Sequence, residues 1–420
     1  MFEVLRSFPE FRKLWLAQVA SQGGDWLSRV AVVTLIGELS GASAAVGIGL
    51  LYGVELALRW LPSAVLGPIA GPVADRLPRR ALMIGADLMR AALVLALLAI
   101  DDPSDLPLLY TIVALQMGTG IFFDSAKSGV LPNTVPRESL HTAYALSAAT
   151  WSSMLAVGSL VGGFLLEWTD VETVFIVDAF TYLFSAALVF RIRLLPTDRE
   201  SPTPLPFHWS DIVLFKDLRR GFEHVREKGL LAPVLAKTFW GPAGGFLVLL
   251  SIVASDRFGN DTAGGSTGFA VGVLFSARGV GTALGPIFGR AFVGSSDAML
   301  RKQIAIGYAL GALGYALFAF TESMLVAYPC IVLSHMGGSG LWVASTTLWQ
   351  KHVDDAYRGR VFALEFLGMT TAFTLAGLAT GLLYDWNQRI DVTTWTVCGA
   401  VTVMGSTWIY LTNRKRAHRG

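Results

Sequence analysis

The chain has 420 residues, of which 53% are hydrophobic and only 15% charged, with a mean hydropathy of +0.54 and a net charge of +2. Soluble domains carry about 25% charged residues, so a deficit sustained over the whole length specifies an integral membrane protein and excludes a soluble domain on a single anchor. The small net charge gives no basis for a nucleic-acid partner. Cys330 and Cys398, both in apolar runs, give none for a disulfide framework or a cysteine metal site.

The N-terminus, Met1 to Lys13, is mixed and charged, and no removable signal peptide is expected there. A spanning helix needs about 20 mostly apolar residues. Twelve runs qualify in chain order: 12–37, 45–70, 80–100, 107–130, 140–166, 172–191, 231–254, 266–291, 302–320, 324–348, 359–384 and 392–412. Inside lipid such runs are helices, because only a helix satisfies its own backbone. One set of connections holds Arg76, Arg79, Arg80, Arg137, Arg301, Lys302, Lys351, Arg358 and Arg360, together with the basic termini. The opposite set is acidic, with Glu38, Asp101, Asp102, Asp105, Glu167, Asp170, Glu322, Asp385 and Asp391. The basic side is expected to be cytoplasmic, which puts both termini inside and requires an even number of spans.

Residues 192–230 form the one long break. Pro196, Pro202, Pro204 and Pro206 make its first part extended. Trp209 to Lys228 reads as an amphipathic helix, with Ile212, Phe215, Leu218, Phe222 and Val225 on one face; it either lies on the membrane surface or simply tethers two halves. The halves repeat: Gly67-Pro68-Ile69 recurs as Gly285-Pro286-Ile287, and Ala145-Leu146 as Ala363-Leu364, both at an offset of 218. The expected organisation is a bundle over 1–191, the linker 192–230, a second bundle over 231–413 and a basic tail, 414–420.

Charges inside the runs are costly unless paired or wet. Asp25 and Arg29 share a helix face, as do Glu55 and Arg59. Asp178, Lys237, Arg278, His335 and Glu365 fall in other runs, while Asp87, Arg90, Asp124 and Lys127 lie nearer the basic side. Asp25, Glu55 and Asp178 are the proton-carrier candidates, since a membrane carboxylate can take and release a proton as its exposure alternates; for each, the alternative is a structural ion pair. Aromatic residues sit beside polar ones in Gln22-Gly23-Gly24-Asp25-Trp26 and in Lys237-Thr238-Phe239-Trp240. The candidate cavity residues are Gln22, Trp26, Arg29, Arg59, Trp151, Phe239, Trp240, His335, Trp342 and Glu365. Apolar walls with a few polar anchors suit an amphipathic or aromatic ligand.

The stretch Gly71-Pro72-Val73-Ala74-Asp75-Arg76-Leu77-Pro78-Arg79-Arg80 resembles the loop between the second and third helices of the major facilitator superfamily, with Pro78 where that family usually has Gly. Gly158-Ser159-Leu160-Val161-Gly162-Gly163 resembles a drug–proton antiporter motif with Ser159 in place of Pro. Gly118-Thr119-Gly120 is like the end of another, with Ala114 where its Arg would stand. The stretches Ser21 to Trp26 and Val130 to Pro136 are similar to the third drug:proton antiporter branch, whose relatives resemble exporters of macrolides, siderophores and other drugs. The resemblance implies an all-α integral membrane fold of twelve transmembrane helices in two pseudo-symmetric six-helix bundles, working by alternating access. It implies a gating role for Gly71, Asp75, Arg76, Arg79 and Arg80, which latch the two halves when the cytoplasmic side is closed. Asp87, Arg90, Asp124 and Lys127 are read as a charge network assisting that closure.

The leading expectation is a proton-coupled exporter of amphipathic small molecules, monomeric, in the inner membrane, with small-molecule substrate, protons and lipid as partners. The alternatives are a lysophospholipid flippase of the same fold and a non-transporting membrane sensor. No P-loop, H-E-x-x-H or suitably placed G-x-S-x-G occurs, so neither an enzyme, a cofactor nor a resident metal is expected.

Overall fold

Long apolar runs leave the backbone no partner but itself, and a computed structural model of the chain, which describes residues 2–41, 46–193, 214–259, 266–292, 294 and 296–417, is helical with no strand among those residues. A short α1 (Phe2–Ser7) leads into α2 (Pro9–Gly41), α3 (Ile48–Arg76), α4 (Arg79–Ala96), α5 (Leu106–Val130), α6 (Leu140–Trp168) and α7 (Val171–Phe190). After α8 (Leu214–Glu227) come α9 (Leu231–Phe239), α10 (Ala243–Val253), α11 (Thr267–Phe292), α12 (Asp297–Phe318), α13 (Met324–Gln350), α14 (Arg358–Asn387) and α15 (Ile390–Ala417). Among the described residues nine helical stretches are long and apolar enough to cross a membrane; α2, α12 and α15 are long but fall outside that set.

The helices gather into two pseudo-symmetric bundles. In the first, α2 packs on α6 and α7, α3 on α5, and α4 on α5 and α7. In the second, α13 packs on α11 and α12, α14 on α9 and α10, and α15 on α12 and α10. The bundles meet along two seams, α3 with α14 and α6 with α11. The 218-residue repeat maps α3 onto α11 and α6 onto α14, so each seam is the image of the other.

One expected run, 231–254, is divided. The helix breaks at Trp240-Gly241-Pro242 and resumes as α10, then widens into a π-helical turn over Ala254–Phe258. Pro242 has no N–H to continue the ladder, which is the local signal for the break. The described part of the amphipathic stretch, α8, lies on the basic end of the second bundle: Val225 is buried with Leu230, Val234, Trp349, Val353 and Val361, and His224 stacks on Tyr357. Pro196, Pro202, Pro204, Pro206, Trp209 and Ile212, like residues 418–420 of the tail, lie outside the described residues, and of α8 the Phe215 side chain does as well.

The seams are tight from the end that carries the acidic connections to mid-height, where Gly279 of α11 runs against the backbone of Ala156 of α6. At the acidic end Gly49 and Gly53 of α3 run against the backbone of Gly381 and Gly377 of α14, and Gly163 of α6 against Gly272 of α11. The approach is backbone to backbone, which a side chain would prevent. Asp385 accepts hydrogen bonds from the amides of Gly49 and Leu50, both 2.8 Å, capping the N-terminus of α3 across the seam. Glu167 accepts from the amide of Ser266 at 3.0 Å across the other seam, and Tyr384 donates to Asp256 at 2.7 Å. At the basic end the bundles part. Nothing approaches the Cα of Gly67, Gly71 or Gly359 where a Cβ would stand, and Tyr144 and Phe362 are about half exposed. The cleft between the bundles therefore opens toward the basic loops.

Candidate functional site

Near mid-height, where α2, α3, α6, α11 and α14 meet at the head of this cleft, the sequence places cations and aromatics on converging helix faces. Glu55, one turn before Arg59 on α3, accepts a short hydrogen bond from it, and Arg29 Nε of α2 lies 3.5 Å from the same carboxylate oxygen. Arg29 is stacked over the Phe275 ring of α11 at 4.7 Å. Trp26 lies between two guanidinium groups, with Arg29 and Arg278 of α11 each 5.5 Å from its ring centroid. Trp151 of α6 packs edge-on to Trp26 at 5.8 Å, and Trp60 of α3 does so to Phe373 of α14 at 5.7 Å. Arg29, Glu55 and Arg278 are buried; Arg59 and Trp26 are half-buried and Trp151 exposed. Gln22 accepts from Gln18 at 3.1 Å, one turn below Trp26.

A second polar cluster fills the first bundle behind this site. Asp25 receives a short hydrogen bond from Tyr182 of α7 and lies 3.6 Å from Arg90 of α4. Arg90 also holds Asp87, which accepts from Ser185 at 2.6 Å, and Gln116 donates to Tyr182 at 3.0 Å. Asp178 is wholly buried: Thr181 donates to one of its oxygens at 3.1 Å and the other, Oδ2, has no partner. The structure thus gives Asp25 to Arg90 and leaves Arg29 to Glu55, a division that the helical spacing of Asp25 and Arg29 does not suggest. Asp87 and Arg90 belong to this interior cluster, whereas Asp124 and Lys127 pair with each other at 2.7 Å with Asp124 exposed.

The second bundle holds a closed counterpart. Lys237 of α9 donates to Glu365 of α14 at 3.0 Å and to Thr346 at 2.7 Å, lies over the Trp342 ring at 4.2 Å, and Trp349 donates to the other oxygen of Glu365 at 3.0 Å. Lys237 and Glu365 are both buried, and every oxygen and nitrogen of the pair is engaged, as a buried ion pair requires. Trp240 does not line the cleft. It is buried within the second bundle against Tyr308 and Tyr315, in a slot made by Gly311 and Gly338, and Phe239 is partly buried on the same core. His335 of α13 is half-buried beside Phe246 and Tyr315, with its Nε2 buried and unpartnered.

The basic loop makes several contacts within its own bundle. Asp75 pairs with Arg79 at 2.9 Å, Arg79 donates to Gly129 O at 2.8 Å, Arg76 to Pro72 O at 3.1 Å, and Arg80 to Phe190 O. Gly71 faces open space. Sequence reasoning placed Arg278 inside the membrane but gave it no role, and it missed Tyr182, Gln116 and Asp385. A buried tyrosine or glutamine in an apolar run carries a weak signal, and the link between Arg278 and Trp26 crosses bundles. Among the described residues no group of His, Cys, Asp and Glu is placed to hold a metal ion.

The chain is 28% identical over 376 residues to an uncharacterised major facilitator-type transporter of Mycobacterium tuberculosis, covering 86% of this chain and 82% of that one. It is 25% identical over 402 residues to macrolide efflux protein A of Streptococcus pyogenes, covering 92% and 91%. Among solved structures a nucleoside transporter superposes with a TM-score of 0.73 at 13% identity, over 95% of this chain and 99% of that one. A peptide transporter in complex with sulfate does so at 0.74 and 13%, over 97% and 95%. The profile of the family described as transmembrane secretion effector matches residues 5–417, and the chain belongs to that family of major facilitator transporters.

Proposed function

We propose that the protein is a secondary exporter of amphipathic, drug-like small molecules that works by alternating access and is driven by inward proton flow. The observation that carries the reading is the polar and aromatic site at mid-height, open along the cleft to the basic end and closed above by the glycine seams. The likeness to macrolide efflux protein A supports outward transport. On this reading the chain crosses the inner membrane twelve times, with α9 and α10 forming one span. The bundles are residues 1–191 and 231–413, the basic end and both termini are cytoplasmic, and the protein works as a monomer. The conformation is then inward-facing. Asp75 and Arg79, now paired with each other, exchange this contact for cross-bundle ones when the cleft closes.

Proton coupling falls to the cluster behind the site. Asp25 and Asp87 both pair with one guanidinium, Arg90, and Asp178 is buried on α7 in the same bundle, where Thr181 is its hydrogen-bond donor. A fully ionised cluster would bury two surplus negative charges, so the cluster is suited to hold protons in their place. Asp25 is half-buried and Asp178 has a free oxygen, which favours these two as carriers. Glu55 is held between two arginines and is the least suited of the three candidates.

The test is purified protein in liposomes with an imposed pH gradient, read for uptake of an amphipathic dye and for proton movement. Asp25→Asn and Asp178→Asn are expected to abolish gradient-driven uptake while leaving exchange of dye across the membrane. Uptake that ignores the pH gradient, or that persists unchanged in both variants, refutes the proton-coupled reading.

A further inference from the structure

The charge inventory of the central site is unequal. Three guanidinium groups, those of Arg29, Arg59 and Arg278, face a single carboxylate, Glu55. Asp25, one turn before Arg29, is engaged by Arg90 and Tyr182. Removing an unpaired cation from water is costly, and leaving its N–H groups without acceptors adds to the cost. Yet Arg278, a residue only 7% exposed, has its Nη1 buried with no hydrogen-bond partner, and Arg29 Nε reaches Glu55 only at 3.5 Å, without a hydrogen bond. Among the described residues no carboxylate lies within ion-pair distance of Arg278, whose close partner is the face of Trp26. Beside it, Gly281 on the next turn of α11 abuts His335, and His335 Nε2 and Tyr315 Oη are likewise buried without partners.

A strain of this kind persists where a ligand relieves it. The missing partner is an acceptor with negative charge, because a guanidinium offers only donors. Oxyanions suit it best, since their oxygens match the planar fork of the guanidinium. The surroundings define the rest of the molecule. Trp26 and Trp151 form an aromatic corner running from Arg278 toward the open end of the cleft, with Tyr144 two turns further along the Trp151 face. A cation entering here would meet the arginines and find its one possible counter-ion already shared by two of them.

We propose that the central site takes an amphipathic anion: its carboxylate, sulfonate or phosphate head is held by Arg278 with Arg29 and Arg59, and its apolar body lies along Trp26 and Trp151. This names the substrate class of the exporter proposed above and rests on that reading only for the word substrate. The binding step stands apart from transport.

The experiment uses three probes of one shape, 2-naphthoate, 2-naphthylmethanol and 2-naphthylmethylammonium, titrated into the full-length protein in phosphatidylcholine nanodiscs. Naphthoate is expected to bind tightest and to quench tryptophan emission. Arg278→Gln should weaken naphthoate about tenfold or more, the worth of a charged hydrogen bond, and leave the neutral probe unchanged. Arg278→Lys should restore part of the loss. Because Arg278 is unpaired in the empty site, Arg278→Gln should unfold at the same or a higher temperature than the parent. Lower thermal stability together with unchanged naphthoate binding would make Arg278 a structural cation and overturn the proposal. So would equal or tighter binding of the ammonium probe. Repeating the titration in nanodiscs containing phosphatidylglycerol separates the sources of the head group: competition by that lipid assigns the site to an anionic lipid, and its absence to a free small anion. Naphthoate binding without liposome flux keeps the anion site and removes the exporter. Flux of the cationic probe alone keeps the exporter and removes the anion site.

Discussion

Substituting Gly272 by alanine tests whether the seams at the acidic end set the conformation. A Cβ there would stand 2.6 Å from the Cα of Gly163 and 2.6 Å from the carbonyl oxygen of Ser159, both backbone atoms of α6. Ordinary van der Waals contact begins at 3.4 Å, so α6 and α11 must part by about 0.8 Å, and neither helix has a side chain that can turn aside. Overpacking of this order costs about 1–3 kcal/mol. In the proposed alternating-access cycle this contact exists only while the acidic end is closed, so the cost falls on one conformation and shifts the equilibrium about 5- to 150-fold toward the other. The assay is a pair of spin labels at Tyr144→Cys and Phe362→Cys, on either side of the cleft, with Cys330 and Cys398 replaced by serine. The wild-type seam should give mainly the long inter-label distance, and Gly272→Ala should move population to a shorter one. An unchanged distance distribution in a folded Gly272→Ala protein would refute the claim that these glycines hold the acidic end shut.

Asp385→Ala removes the acceptor for the first amides of α3 and should move the same distance distribution in the same direction by less, about 0.5–2 kcal/mol for the loss of a helix cap. Lys237→Met leaves Glu365 charged and unpaired in the second bundle, and thermal unfolding in detergent should show a loss of about 3–5 kcal/mol, most of it recovered when Glu365→Gln is added. Asp170 caps α7 outside the spanning segment; its hydrogen bonds from the side chain and amide of Thr173 hold its carboxyl below the ordinary value. A lowered folded-state value means stabilisation present above the unfolded-state value and lost as the pH falls through the folded-state one. The melting temperatures of wild type and Asp170→Asn should therefore differ at neutral pH and converge on acidification, and a constant difference would assign the effect to packing.

Apolar run length and loop charge made the helical fold and the two ends legible, because both follow from solvation alone. Pairing within one helix was legible too: Glu55 and Arg59, four apart, do meet. Pairing between helices was not. Asp25 has Arg29 one turn away on its own helix, yet it turns to Arg90 and Tyr182, which approach only because α4 and α7 pack together. Trp240 beside Lys237 reads as a cavity pair, but the break at Pro242 and the gaps at Gly311 and Gly338 turn the ring into the bundle. The glycines of α6 are visible in the sequence as a motif-like stretch; their partner, Gly272, lies over 100 residues away and no local pattern links the two.

In the proposed cycle the surplus of positive charge at mid-height also makes the protein sensitive to voltage. In an inward-facing protein, water in the cleft carries the cytoplasmic potential up to the arginines, and the field across the membrane falls over the closed seams. When the seams open and the basic end closes, the same arginines take on the outside potential without moving far. Two net charges crossing most of the field gain or lose about 4 kcal/mol per 100 mV, as long as the neighbouring acids hold their protons. An interior-negative membrane would then draw the empty carrier back to the cytoplasmic face, ready to load. A bound anion would cancel part of that charge and loosen the hold, so the membrane potential would serve as the return spring of the proposed cycle.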